Sequence, residues 1–111
     1  MISSHVLDTA LGRPAAGVPV RLERLEPDGA WGVLGEGVTN ADGRVSDFLR
    51  GAELAAGSYR LCFATEAYFL GSGRPCFFPH VDVVFRVEHA GTRLHIPLLL
   101  SPFGYSTYRG S

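Results

Sequence analysis

The sequence contains no lysine. All ten of its basic residues are arginines, and they are spread from Arg13 to Arg109 without a cluster. A mechanism that depends on a lysine Schiff base is therefore excluded. Eleven acidic residues bring the formal net charge to −1, so the chain lacks the basic surface that nucleic-acid-binding proteins use. We expect no nucleic-acid partner.

Long apolar runs and cysteine motifs are also missing. No stretch approaches the roughly 20 apolar residues of a membrane span, and residues 1–5 lack the pattern of a secretory signal. We therefore expect a cytoplasmic protein that has no membrane partner. Cys62 and Cys76 do not have the C-x-x-C spacing of metal or redox sites, so two unpaired thiols are the favoured interpretation. A disulfide between them stays open.

Helix-forming segments are scarce, whereas turn signals recur at short intervals along the 111 residues. A chain of this length favours a single domain over residues 1–111. Several segments alternate apolar and polar residues, which is typical of strands that bury one face. The pattern predicts an all-β fold, a two-sheet antiparallel β-sandwich with one short helix at 65–70. The predicted strands are 2–8, 18–26, 31–39, 58–65, 81–88, 92–100 and 105–109.

Two of the four histidines, His5 and His95, lie inside predicted strands. Alternation places His95 opposite the core-facing apolar residues of its strand, and it places His5 on the face shared by Ser3 and Leu7. Both side chains are therefore predicted to lie on outer sheet surfaces, where they are available for chemistry. Exposed histidines without a function would show the same pattern, so this alternative stays open for His5 and His95. We interpret His80 and His89, which lie in or beside turns, as histidines of this ordinary kind.

Arg44 follows the turn 40–43, where a guanidinium fits either a turn cap or an anionic ligand. The segment 105–111 is more unusual, because it carries polar and aromatic groups up to Ser111, which favours a functional use. Asp8 and Asp47 are candidate orienting carboxylates, although loop capping is the favoured interpretation of both.

Known catalytic and cofactor motifs are absent. The sequence has no G-x-S-x-G, H-E-x-x-H or phosphate-binding glycine loop. A metal held by His5 and His95 would need a third ligand, and no residue near either histidine has metal-type spacing. We therefore predict a site without metal or cofactor.

Three segments of the chain resemble the transthyretin-like proteins, and the resemblance covers nearly the whole length. The terminal Tyr108-Arg109-Gly110-Ser111 is similar to the tetrapeptide that separates the 5-hydroxyisourate hydrolases of this family from transthyretin, the hormone carrier. This tail is the specific signal. The segments are His5-Val6-Leu7-Asp8-Thr9, Gly12-Arg13-Pro14-Ala15, and the stretch from Leu94-His95-Ile96-Pro97-Leu98-Leu99 through Ser111.

The resemblance implies a homotetramer with a central channel that His5 and His95 line. It assigns catalysis to His5, Arg44, His95 and Ser111. The implied reaction is hydrolysis of the N1–C6 amide of 5-hydroxyisourate to 2-oxo-4-hydroxy-4-carboxy-5-ureidoimidazoline, a step of urate degradation that needs no redox cofactor.

The residue roles that follow are expectations. His95 is assigned to water activation, His5 to substrate positioning or proton transfer, and Arg44 to binding the ring and its developing negative charge. Ser111 would position water or substrate, and Tyr108 would stack on the planar ring. The two histidines can exchange roles, because paired imidazoles titrate as one system. The subunit that supplies each group stays open.

Two other classes of function remain. The same scaffold serves as a carrier of small aromatic ligands in a tetramer channel, which is the main alternative. His5, Arg44 and His95 argue against this alternative, because a channel for an apolar ligand would have to desolvate them. A structural sandwich module gives no reason for the polar tail.

Overall fold

The computed structural model describes residues 1–110 of the chain, and strands make up most of it. The seven predicted strands are present, each with ends within two residues of the prediction, and the predicted short helix forms. In chain order the elements are β1 (Ile2–Asp8), β2 (Arg13–Pro14), β3 (Pro19–Leu25), β4 (Trp31–Val38), β5 (Arg44–Val45), β6 (Gly57–Phe63), α1 (Thr65–Gly71), β7 (Val81–Val87), β8 (Leu94–Ser101) and β9 (Gly104–Thr107). The two-residue strands β2 and β5 are not among the predicted strands.

The strands form two sheets. One has the order β2-β1-β8-β9, with β5 also paired to β1, and the other has the order β4-β3-β6-β7. Within residues 1–110, the paired strands run antiparallel except for β1 and β8, which are parallel. The structure confirms the two-sheet β-sandwich with a short helix, and it places a parallel pair at the centre of the first sheet.

Alternation along the strands determines which side chains reach the core between the sheets. In β1, Ile2, Val6 and their core-face neighbours are buried, whereas His5 and the other residues of the opposite face are partly exposed. Strand β8 shows the same division, with His95 on the outer side, except that Pro97 on that side is also buried. The largest fully buried side chains, which fill the core from both sheets and the helix, are Tyr59, Phe63, Phe69, Ile2, Leu22, Leu54, Leu61, Leu98 and Leu100.

A buried ion pair joins the end of β1 to the segment after α1. Arg74 Nη2 lies 2.5 Å from Asp8 Oδ2, and the Tyr68 hydroxyl donates to the same oxygen at 2.7 Å. Burial alone would raise the pKa of Asp8, but these hydrogen bonds outweigh it and the pKa is lowered. Asp8 Oδ1 also accepts from the backbone N–H groups of residues 10 and 11. Asp8 therefore caps the turn after β1, as favoured from the sequence.

Two further sequence expectations bear on the fold. Cys62 and Cys76 are free thiols in the structure, so they do not form the disulfide that the sequence left open. No helix among residues 1–110 has the length and apolar character needed to span a membrane.

Candidate active site

Strand pairing brings the candidate residues together on the outer face of the first sheet. His5 on β1 lies opposite Arg44 on β5, and Ser3, two residues earlier on the same face, lies opposite His95 on β8. Neighbouring strands are about 4.8 Å apart, so side chains from β5, β1 and β8 can act on one small molecule. The structure thus places Arg44, His5 and His95 on one surface.

A tight turn over residues 40–43 presents Arg44. Asn40 Oδ1 accepts hydrogen bonds from the backbone N–H groups of Asp42 and Arg44, at 2.9 and 3.0 Å. Gly43 has φ +75°, and a Cβ there would lie 2.4 Å from the Val6 carbonyl oxygen. Only glycine fits this approach. The Asn-x-Asp-Gly sequence therefore forms the turn that brings Arg44 beside His5.

The segment after β9 continues along β8 and reaches His95. Leu98 pairs with Thr107, and Gly110 N–H donates to the His95 carbonyl at 2.7 Å, in the same antiparallel register. That register places Tyr108 opposite Pro97, which has no N–H to donate. Pro97 therefore lies where a ladder hydrogen bond is missing, while its carbonyl accepts from the Thr107 hydroxyl at 2.7 Å.

Gly110 packs directly against the His95 ring. A Cβ at Gly110 would lie 2.8 Å from His95 Cδ2 and 3.1 Å from the His95 carbonyl oxygen. The first distance is well below the roughly 3.5–4.0 Å of an ordinary contact between carbon atoms, and the second is also tighter than most Cβ contacts. The tail and the histidine fit together because residue 110 has no side chain.

An open pocket of about 460 Å³ lies on this surface, lined by Ser3, Arg44, His95, Tyr108 and Gly110. Three of the residues predicted from the sequence are in its lining, namely Arg44, His95 and Tyr108. His5 lies beside this lining. Ser111 lies outside the described residues.

Ser3 and Gly110 are the residues of this site to which the sequence analysis gave no role of their own. Ser3 Oγ lies 2.8 Å from His95 Nδ1. Alternation places Ser3 on the same face as His5, which was a usable signal. Its contact with His95 depends on the parallel pairing of β1 with β8, which no local pattern reveals.

The surroundings favour the neutral form of His95. Burial of the ring lowers the pKa of His95 below its usual value, and the positive charge of Arg44 and the neighbouring His5 lower it further. A neutral imidazole near pH 7 can accept a proton, which the charged form cannot do. This property suits a general base.

Other candidate residues have separate roles. Asp47 accepts from the backbone N–H groups of Ile2, Leu49 and Gly51, so it caps a loop. Burial raises its pKa, but these bonds outweigh that effect and the pKa is lowered. His80 and His89 are exposed and are absent from the lining of the pocket beside His95. No group of three residues among 1–110 is arranged to hold a metal ion.

A larger pocket of about 640 Å³ lies on the outer face of the second sheet. Its arginines, Arg21 and Arg60, donate to the buried carboxylate of Glu23 at 2.9 and 2.7 Å. Cys62 also donates to Glu23, at 3.3 Å. Because these groups already pair with one another, the pocket presents no convergent set comparable to that around His95.

The chain matches a sequence model of the HIUase/Transthyretin family over residues 2–110. It is 46% identical to the 5-hydroxyisourate hydrolase of Mus musculus over 111 residues, covering 99% of this chain and 94% of the mouse protein. The solved 5-hydroxyisourate hydrolase of Klebsiella pneumoniae aligns with TM-score 0.86 and 42% identity, over 99% of this chain and 98% of that one. Transthyretin from Sparus aurata aligns with TM-score 0.91 and 32% identity, over 98% and 95% of the two chains.

Proposed function

The chain belongs to the HIUase/Transthyretin family, and we propose that it acts through the pocket formed by Arg44, His95 and the terminal segment. Its relatives at 42–46% identity over nearly their whole length are 5-hydroxyisourate hydrolases. The chain is accordingly an enzyme of purine degradation that hydrolyses 5-hydroxyisourate. The observation that carries the proposed site is the packing of Gly110 against His95, which joins the tail to a neutral histidine.

The reaction adds water to a cyclic amide. The water oxygen bonds to the C6 carbonyl carbon, the N1–C6 bond breaks, and the departing nitrogen takes a proton. The product is 2-oxo-4-hydroxy-4-carboxy-5-ureidoimidazoline. Such a step needs a base for the water, a positive group near the oxyanion and an acid for the nitrogen.

The site supplies one group for each need. Neutral His95 takes the proton from water, and the guanidinium of Arg44 attracts the negative charge that develops on the carbonyl oxygen. His5, opposite Arg44, positions the substrate or carries the proton to the departing nitrogen. Tyr108 stacks on the planar ring. Ser111 remains in the proposal as the residue that positions water or substrate.

The carrier alternative receives less support. The transthyretin of Sparus aurata shares the fold at a lower identity, 32%, than the hydrolases. Arg44 and His95 line the pocket here, and an apolar ligand would have to desolvate both without returning hydrogen bonds. A polar, hydrogen-bonding substrate fits these groups better.

The proposal includes a homotetramer. The pocket is open in the single protomer, and strands β7 and β9 end their sheets on one side of the sandwich, where Phe78 packs against Tyr105 with ring centroids 5.2 Å apart. Such edge strands are templates for pairing with another copy. Apolar side chains on this side are exposed, including Val84 at 61% and Phe103 at 69%. A second copy paired at this edge would cover these groups, and copies that meet at the outer face of the first sheet would supply further walls for the pocket.

A cytoplasmic location also remains part of the proposal. Cys62 and Cys76 are both free, which is typical of proteins in a reducing compartment. No nucleic-acid or membrane partner is proposed.

The test is a time-resolved ultraviolet assay. Urate oxidase generates 5-hydroxyisourate in situ, and its decay is compared with and without the purified protein. We expect strong acceleration, reduced on the order of 10²- to 10⁴-fold by His95→Ala and 10²- to 10³-fold by Arg44→Ala. His89→Ala, at an exposed turn, is the matched control and should leave the rate unchanged. Activity close to wild type in either site variant would contradict the assigned residues, and a folded protein without any acceleration would favour the carrier.

A further inference from the structure

Ser3 holds one nitrogen of the His95 ring. Ser3 Oγ and His95 Nδ1 are 2.8 Å apart, and both side chains lie on the outer face of paired strands. The other edge of the ring packs against Gly110, whose missing Cβ would lie 2.8 Å from Cδ2. With Nδ1 and Cδ2 both in contact with the protein, Nε2 is the nitrogen left for the pocket.

The direction of the hydrogen bond between Ser3 and His95 decides which nitrogen carries the proton. A serine hydroxyl has one hydrogen to donate and can also accept. The Leu94 carbonyl oxygen lies 3.5 Å from Ser3 Oγ, a long contact beside the 2.8 Å to His95 Nδ1, so Ser3 by itself permits either direction. When the hydroxyl accepts from Nδ1–H, the proton of the neutral ring lies on Nδ1.

Arg44 favours the same tautomer from the pocket side. Its guanidinium has only donors, and it lines the pocket into which Nε2 faces. The positive charge of Arg44 attracts an Nε2 lone pair and repels an Nε2–H. Arg44 therefore selects the form with the proton on Nδ1, and the Ser3 hydroxyl is the acceptor that holds this proton.

We propose that Ser3 is a positioning residue of the hydrolysis, which fixes His95 with its proton on Nδ1 and its Nε2 lone pair toward the substrate. The inference rests on the proposed function, and it assigns the base nitrogen within the site. The hydroxyl of Ser3 takes no part in bond making or breaking. It determines that the atom of His95 facing the water is the one able to accept a proton.

Charged and titratable groups face His95 from three directions. They are His5 on β1, Arg44 on β5 and the Tyr108 phenol after β9. Just before the strand of His95, Arg93 donates from its guanidinium to Met1 Sδ at 3.5 Å. None of these groups is a carboxylate that could accept Nδ1–H in place of Ser3.

The first test reads the tautomer directly. Two-bond ¹H–¹⁵N correlation spectra of ¹⁵N-histidine-labelled protein distinguish Nδ1–H from Nε2–H, and no substrate is needed. We expect His95 in the wild-type protein to carry its proton on Nδ1 at neutral pH. We expect Ser3→Ala to populate the Nε2–H form, while the signals of exposed His80 and His89 stay unchanged. A wild-type proton on Nε2, or a tautomer unchanged by Ser3→Ala, would overturn the inference.

The second test follows the rate. Loss of the Ser3 hydrogen bond should lower kcat on the order of tenfold and change KM by less than about twofold, because the variant impairs proton transfer to His95 and leaves substrate binding intact. Ser3→Thr keeps the hydroxyl and should restore kcat. Ser58→Ala, which removes a hydroxyl from β6 in the other sheet, is the matched control. An equal fall in kcat for Ser3→Thr and Ser3→Ala would refute the role of the hydroxyl.

The two tests separate this inference from the proposed function. A wild-type protein that does not accelerate 5-hydroxyisourate decay contradicts the function, whatever the tautomer. A fast wild-type enzyme whose His95 carries its proton on Nε2 contradicts only the role of Ser3.

Discussion

Replacing Gly110 with alanine tests whether the terminal segment and His95 act together, as proposed. The glycine is not in the left-handed region, so alanine adds only its Cβ. That atom would lie 2.8 Å from His95 Cδ2, whereas carbon atoms in contact are roughly 3.5–4.0 Å apart. The tail or the ring must therefore move by about 1 Å to relieve the overlap.

The expected loss is large in rate and small in stability. A misplacement of about 1 Å in a catalytic arrangement costs on the order of 10²-fold in rate, so kcat/KM should fall by that factor. Moving the tail also weakens the Gly110 N–H hydrogen bond to the His95 carbonyl, now 2.7 Å, which is worth about 0.5–1.5 kcal/mol. Because this bond lies at the chain end, the midpoint of thermal unfolding should change by a few degrees at most.

Gly104→Ala is the matched control for Gly110→Ala. Gly104 lies in β9, and its Cβ would have only one neighbour, Ser101 Oγ, at an ordinary 3.7 Å. The assay is the ultraviolet decay of 5-hydroxyisourate, with circular dichroism for the unfolding midpoint. Full activity of Gly110→Ala, or an equal loss in Gly104→Ala, would refute the reasoning.

Three further predictions concern charge. Arg44→Gln removes a positive charge beside His95, so the His95 pKa, measured by NMR titration, should rise toward its usual 6.5; an unchanged midpoint would contradict the coupling. Asp8→Asn leaves partly buried Arg74 without its counter-ion and should cost about 2–3 kcal/mol, a fall in Tm on the order of 10 °C. The Asp8 pKa is lowered in the folded state. The stability that the Asp8–Arg74 pair contributes is therefore present above the unfolded-state pKa of Asp8 and is lost as the pH falls through its folded-state pKa. The free energies of unfolding of wild type and variant, compared by urea titration, should converge in acid. Burial, with the carboxylate of Glu23 close by, raises the pKa of Cys62 to about 11. Alkylation of Cys62 by iodoacetamide at pH 8, followed by mass spectrometry, should therefore be roughly 100-fold slower than that of an unperturbed thiol. An ordinary alkylation rate at this site would refute the burial argument.

Local patterns were sufficient to predict the strands. Each of the seven predicted strands alternates or lies between turn residues, and both signals depend only on neighbours in sequence. The outward direction of His5 and His95 followed from the same period of two. The strands β2 and β5 were missed because a two-residue pairing has no period to detect.

The sequence by itself determined the two-sheet fold class, the family and the residue types of the candidate site. Only the tertiary structure decided which of them meet. Arg44 lies beside His5 because β1 pairs with β5, and Ser3 forms a hydrogen bond with His95 because β1 also pairs in parallel with β8. The physical reason is that this pairing joins residues as many as 92 positions apart, and the local pattern of a strand does not specify which other strand lies beside it.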